Sequence, residues 1–277
     1  MVMTVWVFWI EPNAYEISRH KRPSKKALAK PLRILHLSDT HFSGRNPRLS
    51  GFFDRLAKEP VDFVFVTGDI LDSGKGIGPC IENFKKLKPK HGFYAVFGNH
   101  DYYDYLFRHV FITNAPKHNH PKDSQPHEEF QKELTKAGIQ LLKNETHEVV
   151  FDGTPFLIHG LDDPVTDHAD FDKIKRAVQP EKINFLLTHT VDAFFYLEEN
   201  QIDFSFSGHS HGGQVRLPGF GAIITHTYMG REYAGGIRPL KGAICSISRG
   251  LGASRFFWMR FFCRPEAIIL EIENQKL

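Results

Sequence analysis

Cysteine is scarce in this chain of 277 residues. Cys80, Cys245 and Cys263 are three in number, far apart and in no CxxC pattern. That argues against a disulfide framework and against a structural thiolate zinc site, and it fits a reducing compartment. Net charge is also small, at +3, so the total charge gives no reason to expect a nucleic-acid partner. Long hydrophobic runs are missing. The longest near the start, Val2–Ile10, is far short of the roughly 20 residues that cross a bilayer. No small-residue cleavage site follows it, which argues against a signal peptide. Low-complexity tracts and internal repeats are absent as well. With 41% hydrophobic and 24% charged residues, the composition is that of a folded globular chain and excludes the disordered class.

Two residue types are abundant instead. There are 16 His and 25 Phe. The His content makes a metal protein worth testing. The Phe content reads either as a Phe-packed core or as an apolar surface meant for lipid. The start of the chain is open to more than one reading too. The apolar Val2–Ile10 leads into a stretch carrying Arg19, Lys21, Arg22, Lys25, Lys26, Lys30 and Arg33. Aromatics followed by clustered cations suit attachment to an anionic membrane surface. A buried edge strand followed by a solvated linker, or the end of a membrane span truncated upstream, suits the same residues.

Short apolar runs recur along the chain, each followed at once by polar residues. Arg33–Leu37 leads into Ser38-Asp39-Thr40-His41, and Val61–Val66 into Thr67-Gly68-Asp69. Phe93–Phe97 leads into Gly98-Asn99-His100-Asp101, and Ile183–Leu187 into Thr188-His189. Asp203–Phe206 leads into Ser207-Gly208-His209-Ser210-His211. These runs have strand length, and most are rich in β-branched or aromatic residues. Helices are expected over Arg48–Lys58, Ile77–Lys88, Glu128–Ala137 and Val191–Asn200. Further strands are expected at Glu148–Phe151, Phe156–His159, Ala222–Thr225, Ala243–Ser248 and Ala267–Ile272. Alternating strand and helix predicts an α/β layered architecture, with functional residues at the carboxyl ends of the strands. Residues 102–127 break the rhythm. They contain Pro116, Pro121 and Pro126 with His109, His118, His120 and His127. A structureless stretch this long is read as a lid over the site or as a surface excursion.

Singly, these polar residues say little. Five clusters in order, each at a strand end, say more. Carboxylate, imidazole and amide oxygen together suit borderline divalent metals such as Mn, Fe or Zn. Two ions about 3.5–4 Å apart need a carboxylate between them, and Asp69, between the first and third clusters, is the natural bridge. His209 and His211 are two apart and, on an extended chain, would share a face, each reaching a different ion.

The pattern Asp39-x-His41, Gly68-Asp69, Gly98-Asn99-His100-Asp101, His189 and Gly208-His209-x-His211 resembles the calcineurin-like metallophosphoesterase superfamily. The resemblance spans residues 38 to 211. It implies a four-layer αββα sandwich of two mixed sheets flanked by helices. It implies that Asp39, His41, Asp69 and His211 hold one metal ion and that Asp69, Asn99, His189 and His209 hold the other. His100 would then contact the phosphate and protonate the leaving group, with Asp101 holding its ring, and a hydroxide bridging the metals would attack phosphorus.

Four further stretches are similar to a membrane-associated bacterial branch of that superfamily: Ile10-Glu11-Pro12, Gly208–Gln214, Ser248–Gly252 and Arg264-Pro265-Glu266. Within the branch the chain looks most like the UDP-2,3-diacylglucosamine pyrophosphatases of the chlamydial type. That implies an acylated sugar-nucleotide substrate, cut to UMP and a lipid monosaccharide phosphate in lipid A biosynthesis. It also implies a membrane surface at the cytoplasmic face of the bacterial inner membrane, no nucleic acid, and Mn as the expected metal. The aromatic and basic stretch Ser254–Arg264 suits acyl chains beside phosphate, and suits a buried terminal strand equally. The expected organisation is a membrane-proximal segment and edge strand over 1–30, then a metallophosphoesterase domain over 31–277 with the lid-like insertion at about 102–127. A membrane-peripheral phosphodiesterase of broader substrate range is the competing expectation.

Overall fold

The computed structural model describes residues 2–105, 124–254 and 257–275. The strands of the first sheet begin with β1 (Glu16–Ser24), β2 (Leu32–Leu37), β3 (Phe63–Thr67), β4 (Gly92–Val96) and β5 (Gln140–Leu141). The second sheet is built from β6 (Glu145–Phe151), β7 (Thr154–Gly160), β8 (Ile183–Leu187) and β9 (Phe204–Ser207). A small hairpin, β10 (Arg216–Leu217) with β11 (Gly221–Ala222), follows. Then β12 (Gly236–Leu240) and β13 (Ala243–Ile247) complete the second sheet, and β14 (Glu266–Asn274) returns to the first. The sheet orders are β1-β14-β2-β3-β4-β5 and β12-β13-β9-β8-β7-β6. Strands β2 to β5 run parallel, as do β7, β8, β9 and β13. The exits of both parallel sets carry the polar clusters seen in the sequence.

Strand periodicity sorts the side chains into layers. On β3, Phe63 and Phe65 face the second sheet, while Val64 and Val66 face the outer helices. Phe151, Phe156, Phe185, Phe204 and Phe206 fill the same inter-sheet layer from the other side. Phe65 meets Phe206 edge to face at 5.0 Å, and Phe156 meets Phe185 at 5.1 Å. Each buried Phe contributes about 2–3 kcal/mol by leaving water. Most of the phenylalanine is therefore core. His36 is a polar exception in this layer. His36 bridges the sheets, with Nδ1 3.0 Å from Ser246 Oγ and Nε2 2.9 Å from Thr67 Oγ1.

Outside the first sheet lie the helices Pro47–Leu56, Ile77–Phe84 and His127–Lys136. In the first of these, Leu49, Phe52, Phe53 and Leu56 form one apolar stripe. Asn46 caps it, its side chain accepting from the Arg48 and Leu49 amides, and Pro47 opens it. The helix from Ile77 stops at Phe84, short of the expected Lys88: the Lys86 and Leu87 amides turn to Asn83 and Phe84 O in tighter i to i+3 bonds, and Pro89 disfavours helical backbone at Lys88. Helix Phe171–Ala177 covers the second sheet. The helix expected over Val191–Asn200 is a 3₁₀ turn, Val191–Phe195, that buries Val191, Ala193 and Phe194. The strand expected at Ala222–Thr225 ends at Ala222, and Ile223 and Ile224 stand exposed.

The apolar start of the chain is helical rather than extended. An α-turn at Val2–Val5 runs into a π-helical turn at Trp6–Ile10 and a 3₁₀ turn at Glu11–Asn13. The edge strand is the basic stretch, β1, paired parallel with β14. Its exposed Arg19 and Lys21 pair with Glu59 and Glu271, and charges of this kind guard a sheet edge. No helix among the described residues is long and apolar enough to cross a membrane. Most of the expected lid, residues 106–123 with His109, His118 and His120, lies outside the described residues. Its two ends lie together: the Ser124 and Gln125 amides both donate to Tyr102 O at 3.0 Å.

Candidate metal centre

The five clusters meet at one end of the sandwich. The Asp39 amide donates to Gly68 O at 3.0 Å and the His41 amide to Asp69 O at 3.0 Å, locking the exits of β2 and β3 together. The Gly208 amide donates to His189 O at 2.9 Å and locks β9 to β8. Asp39, His41, Asp69, His209 and His211 all have positive φ, between 45° and 65°. Left-handed backbone at a non-glycine residue costs on the order of 1–2 kcal/mol, and here five such residues face one another. His209 and His211 thus do not share a face through extended chain; left-handed turns aim them. Two glycines make room. A Cβ on Gly208 would lie 1.9 Å from Ser38 Oγ, and one on Gly98 would lie 2.5 Å from Asp69 Oδ1.

The side chains fall into two groups that share Asp69. Asp39, His41, Asp69 and His211 bring their polar atoms together, as do Asp69, His189 and His209. His41 Nε2 is 3.2 Å from His211 Nε2, and His211 Nε2 is 3.5 Å from Asp39 Oδ1. On the other side, His189 Nε2 is 3.1 Å from His209 Nδ1 and 3.2 Å from Asn99 Oδ1. The two Asp69 oxygens divide between the groups: Oδ1 is 3.3 Å from His189 Nε2, and Oδ2 is 3.7 Å from His41 Nε2.

These residues fit divalent ions. All donors are nitrogen or oxygen, the set that borderline metals take. Imidazole nitrogens approach each other to 3.1–3.2 Å in both groups. They have the spacing of two ligands each about 2.1 Å from a common ion. His189 Nδ1 lies 3.0 Å from Thr67 O, which places the proton there and leaves Nε2 as the donor atom. Burial, and then neighbouring imidazoles, hold His209 down to about 3 and His211 well below the ordinary range. Both are therefore neutral, the form that binds metal. Burial would raise Asp69, but the imidazoles of His189, His100 and His41 outweigh it and hold the carboxyl well below its usual value.

His100 differs from expectation in its partner. Asp101 does not hold the His100 ring. Its Oδ1 accepts from the Ile70 and Leu71 amides and its Oδ2 from the Gly98 amide, all at 2.9 Å. It braces the β3 exit against the β4 exit. Burial, and then the Asp69 charge, push its carboxyl up to about 8, against the pull of those amides. The ring partner is Asp72, with Oδ1 3.5 Å from His100 Nδ1 and 3.7 Å from His41 Nδ1. Burial would raise Asp72 too, yet hydrogen bonding with His100 and His41 wins and its carboxyl is depressed. The signal was present in the sequence: Asp72 lies three residues past Asp69 in the same strand-exit loop. The His100 amide also donates to Asp69 Oδ1 at 2.8 Å, so one residue touches both the bridge and the proton-handling pair.

The model of the calcineurin-like phosphoesterase family matches residues 32–213, a stretch that holds every one of these side chains. The chain belongs to the calcineurin-like phosphoesterase family. It is a metallophosphoesterase, a hydrolase of phosphoester bonds, and its layered fold is the one expected of that family. Among curated relatives, the UDP-2,3-diacylglucosamine pyrophosphatase LpxG of Chlamydia muridarum is 28% identical, covering 96% of this chain and 92% of that one. The phosphodiesterase YaeI of Escherichia coli is 25% identical over 96% of this chain and 92% of its own. The uncharacterized metallophosphoesterase YkoQ of Bacillus subtilis is 29% identical over 68% of this chain and 64% of its own.

Proposed function

We propose that this metallophosphoesterase hydrolyses the pyrophosphate of UDP-2,3-diacylglucosamine, releasing UMP and 2,3-diacylglucosamine 1-phosphate, with two Mn ions bound. The reaction belongs at the cytoplasmic face of a bacterial inner membrane. The similarity to LpxG along nearly the whole of both chains supports the substrate. The observation that carries it is a corner of exposed apolar side chains next to the cluster. Trp6, Trp9, Ile10, Phe257, Trp258 and Phe262 are each 39–66% exposed there, a surface suited to a lipid interface.

Asp39, His41, Asp69 and His211 would hold one ion, and Asp69, Asn99, His189 and His209 the other. Bound divalent ions supply Lewis-acid chemistry: they make water nucleophilic near neutral pH and offset phosphoryl charge. The protein supplies the rest. Thr67 O fixes the His189 tautomer, and Asp69 spans both groups. Asp72 takes the Nδ1 side of His100, leaving Nε2 to hold a proton for the departing oxygen. A nucleoside phosphate is a stable leaving group and calls on that proton less than an alkoxide does.

Mn-loaded protein given UDP-2,3-diacylglucosamine should release UMP, detected by mass spectrometry. Turnover of bis(p-nitrophenyl) phosphate with none of the lipid sugar nucleotide overturns this reading. The similarity to YaeI supports a second one, a membrane-peripheral phosphodiesterase of broader range, which that result would favour.

A further inference from the structure

A cavity of ≈ 780 Å³ opens beside the metal cluster at Thr40 and His41. This is the size range of sites for small organic ligands. Phe8, Trp9 and Trp258 line it, as do Arg45 and Arg48. Neither guanidinium has an ion-pair partner among the described residues. The aromatic wall is built rather than draped. The Val7 carbonyl accepts from the Arg260 amide at 3.0 Å. Glu11 is 3% exposed, and its carboxylate accepts from the Cys263 amide and, at 2.7 Å, from Trp6 Nε1. The Arg260 guanidinium, 1% exposed, donates to the carbonyls of Cys263, Arg249 and Gly252. The Gly252 amide in turn donates to Asp39 O. The N-terminal helical segment is thereby tied through Arg260 to a residue of the metal cluster.

We infer that this cavity is the acyl subsite: Phe8, Trp9 and Trp258 take an apolar tail while Arg45 and Arg48 face the phosphate at its head. The inference rests on the reading of an acylated phosphate substrate. Phe8 and Trp258 meet edge to face, at 63° and 6.1 Å, so this pair is not a parallel clamp for a nucleobase. The same N-terminal segment also borders a second cavity of ≈ 680 Å³, lined by Met3, Trp6, Phe261 and Phe262 with Glu11, Arg249 and Arg264. Free cations near the cluster suit an anionic head group. The N-terminal segment is then part of the substrate site as well as of the surface that meets lipid.

Inhibition of aryl diester hydrolysis by n-alkyl phosphates of two to twelve carbons tests this in the full-length Mn-loaded protein. Each methylene that enters the cavity should tighten binding roughly fourfold in the wild type. Trp9→Ala combined with Trp258→Ala should flatten that dependence, with metal content and melting temperature reporting the fold. Arg45→Ala with Arg48→Ala should weaken all chain lengths by a common factor. A wild type indifferent to chain length, or a double tryptophan variant with the wild-type slope, overturns the inference. So does a tryptophan variant that loses UMP inhibition while keeping the slope, since the cavity would then hold the nucleotide. A steep slope with no turnover of UDP-2,3-diacylglucosamine supports the subsite and overturns the substrate named above.

Discussion

Asp72 and Asp101 show where residue types stop being enough. Both acids lie close to His100, one three residues past Asp69 and the other adjacent to His100 itself. Adjacency in sequence favours Asp101, but its carboxylate is consumed by three backbone amides. The ring sees Asp72 across a strand boundary. The position of the site residues at strand exits was legible because each follows an apolar run. Which acid serves the imidazole depends on how two strand exits lie side by side. Asp72→Asn should therefore lower kcat about 10- to 100-fold on a diester with an alkoxide leaving group. The loss should be smaller on p-nitrophenyl esters, which need no protonated leaving oxygen. Equal losses on both would remove Asp72 from proton handling. Asp101→Asn should act on stability instead, by about 1–3 kcal/mol, seen in urea unfolding. At the same scale, burial holds His36 down to about 3 from an ordinary 6.5. The unfolded chain binds this proton between those values and the folded chain does not, so its contribution to stability is full above pH 6.5 and lost as pH falls. The slope from one proton is at most about 1.4 kcal/mol per pH unit. His36→Gln should show a shallower fall in stability between pH 7 and pH 5 than the wild type; parallel curves would show that His36 titrates elsewhere.

Elements were legible where periodicity was clean and buried on both sides. Runs such as Ile183–Leu187 emerge at the expected residues because every side chain in them is buried. The N-terminus was not legible in this way. A nearly all-apolar run followed by cations satisfies an interfacial segment and a strand equally. What decides is a single acid, Glu11, whose buried carboxylate ties the segment to Cys263 and Trp6. The cations then find their place on the sheet edge beside β14, where Glu271 and Glu59 meet them. Glu11→Ala should leave the Cys263 amide buried without an acceptor, at a cost of about 1–3 kcal/mol. The effect should be local. Chymotrypsin should cut after Trp6, Phe8 or Trp9 faster than in the wild type, at concentrations that leave the sandwich whole. Uniform acceleration of cleavage throughout the chain would mean that Glu11 supports the whole fold rather than the docking of one segment.

At the scale of the molecule, the cluster sits where two sheets meet. Asp39, His41 and Asp69 leave strands of the first sheet; His189, His209 and His211 leave strands of the second. Below them the sheets are joined by a dry aromatic layer. At the cluster they are joined by imidazoles and carboxylates with few hydrogen bonds between them, and His211 Nδ1 is buried without one. The two ends of the sandwich therefore depend on different forces, and metal ions would act on one end alone. Ions that bind only the folded state stabilise it by mass action, about 4 kcal/mol at a thousand times the dissociation constant. Chelation should lower the melting temperature by several degrees, and added Mn should restore it in a concentration-dependent way. Asp69→Asn, which weakens a ligand shared by both groups, should abolish most of that dependence. His209→Ala and His41→Ala should each leave about one ion per chain by elemental analysis, since each belongs to one group. A melting temperature indifferent to both chelator and Mn would mean that the cluster does not clamp the sheets. Full loss of both ions in His209→Ala would mean that the two groups form one inseparable site, rather than two joined through Asp69.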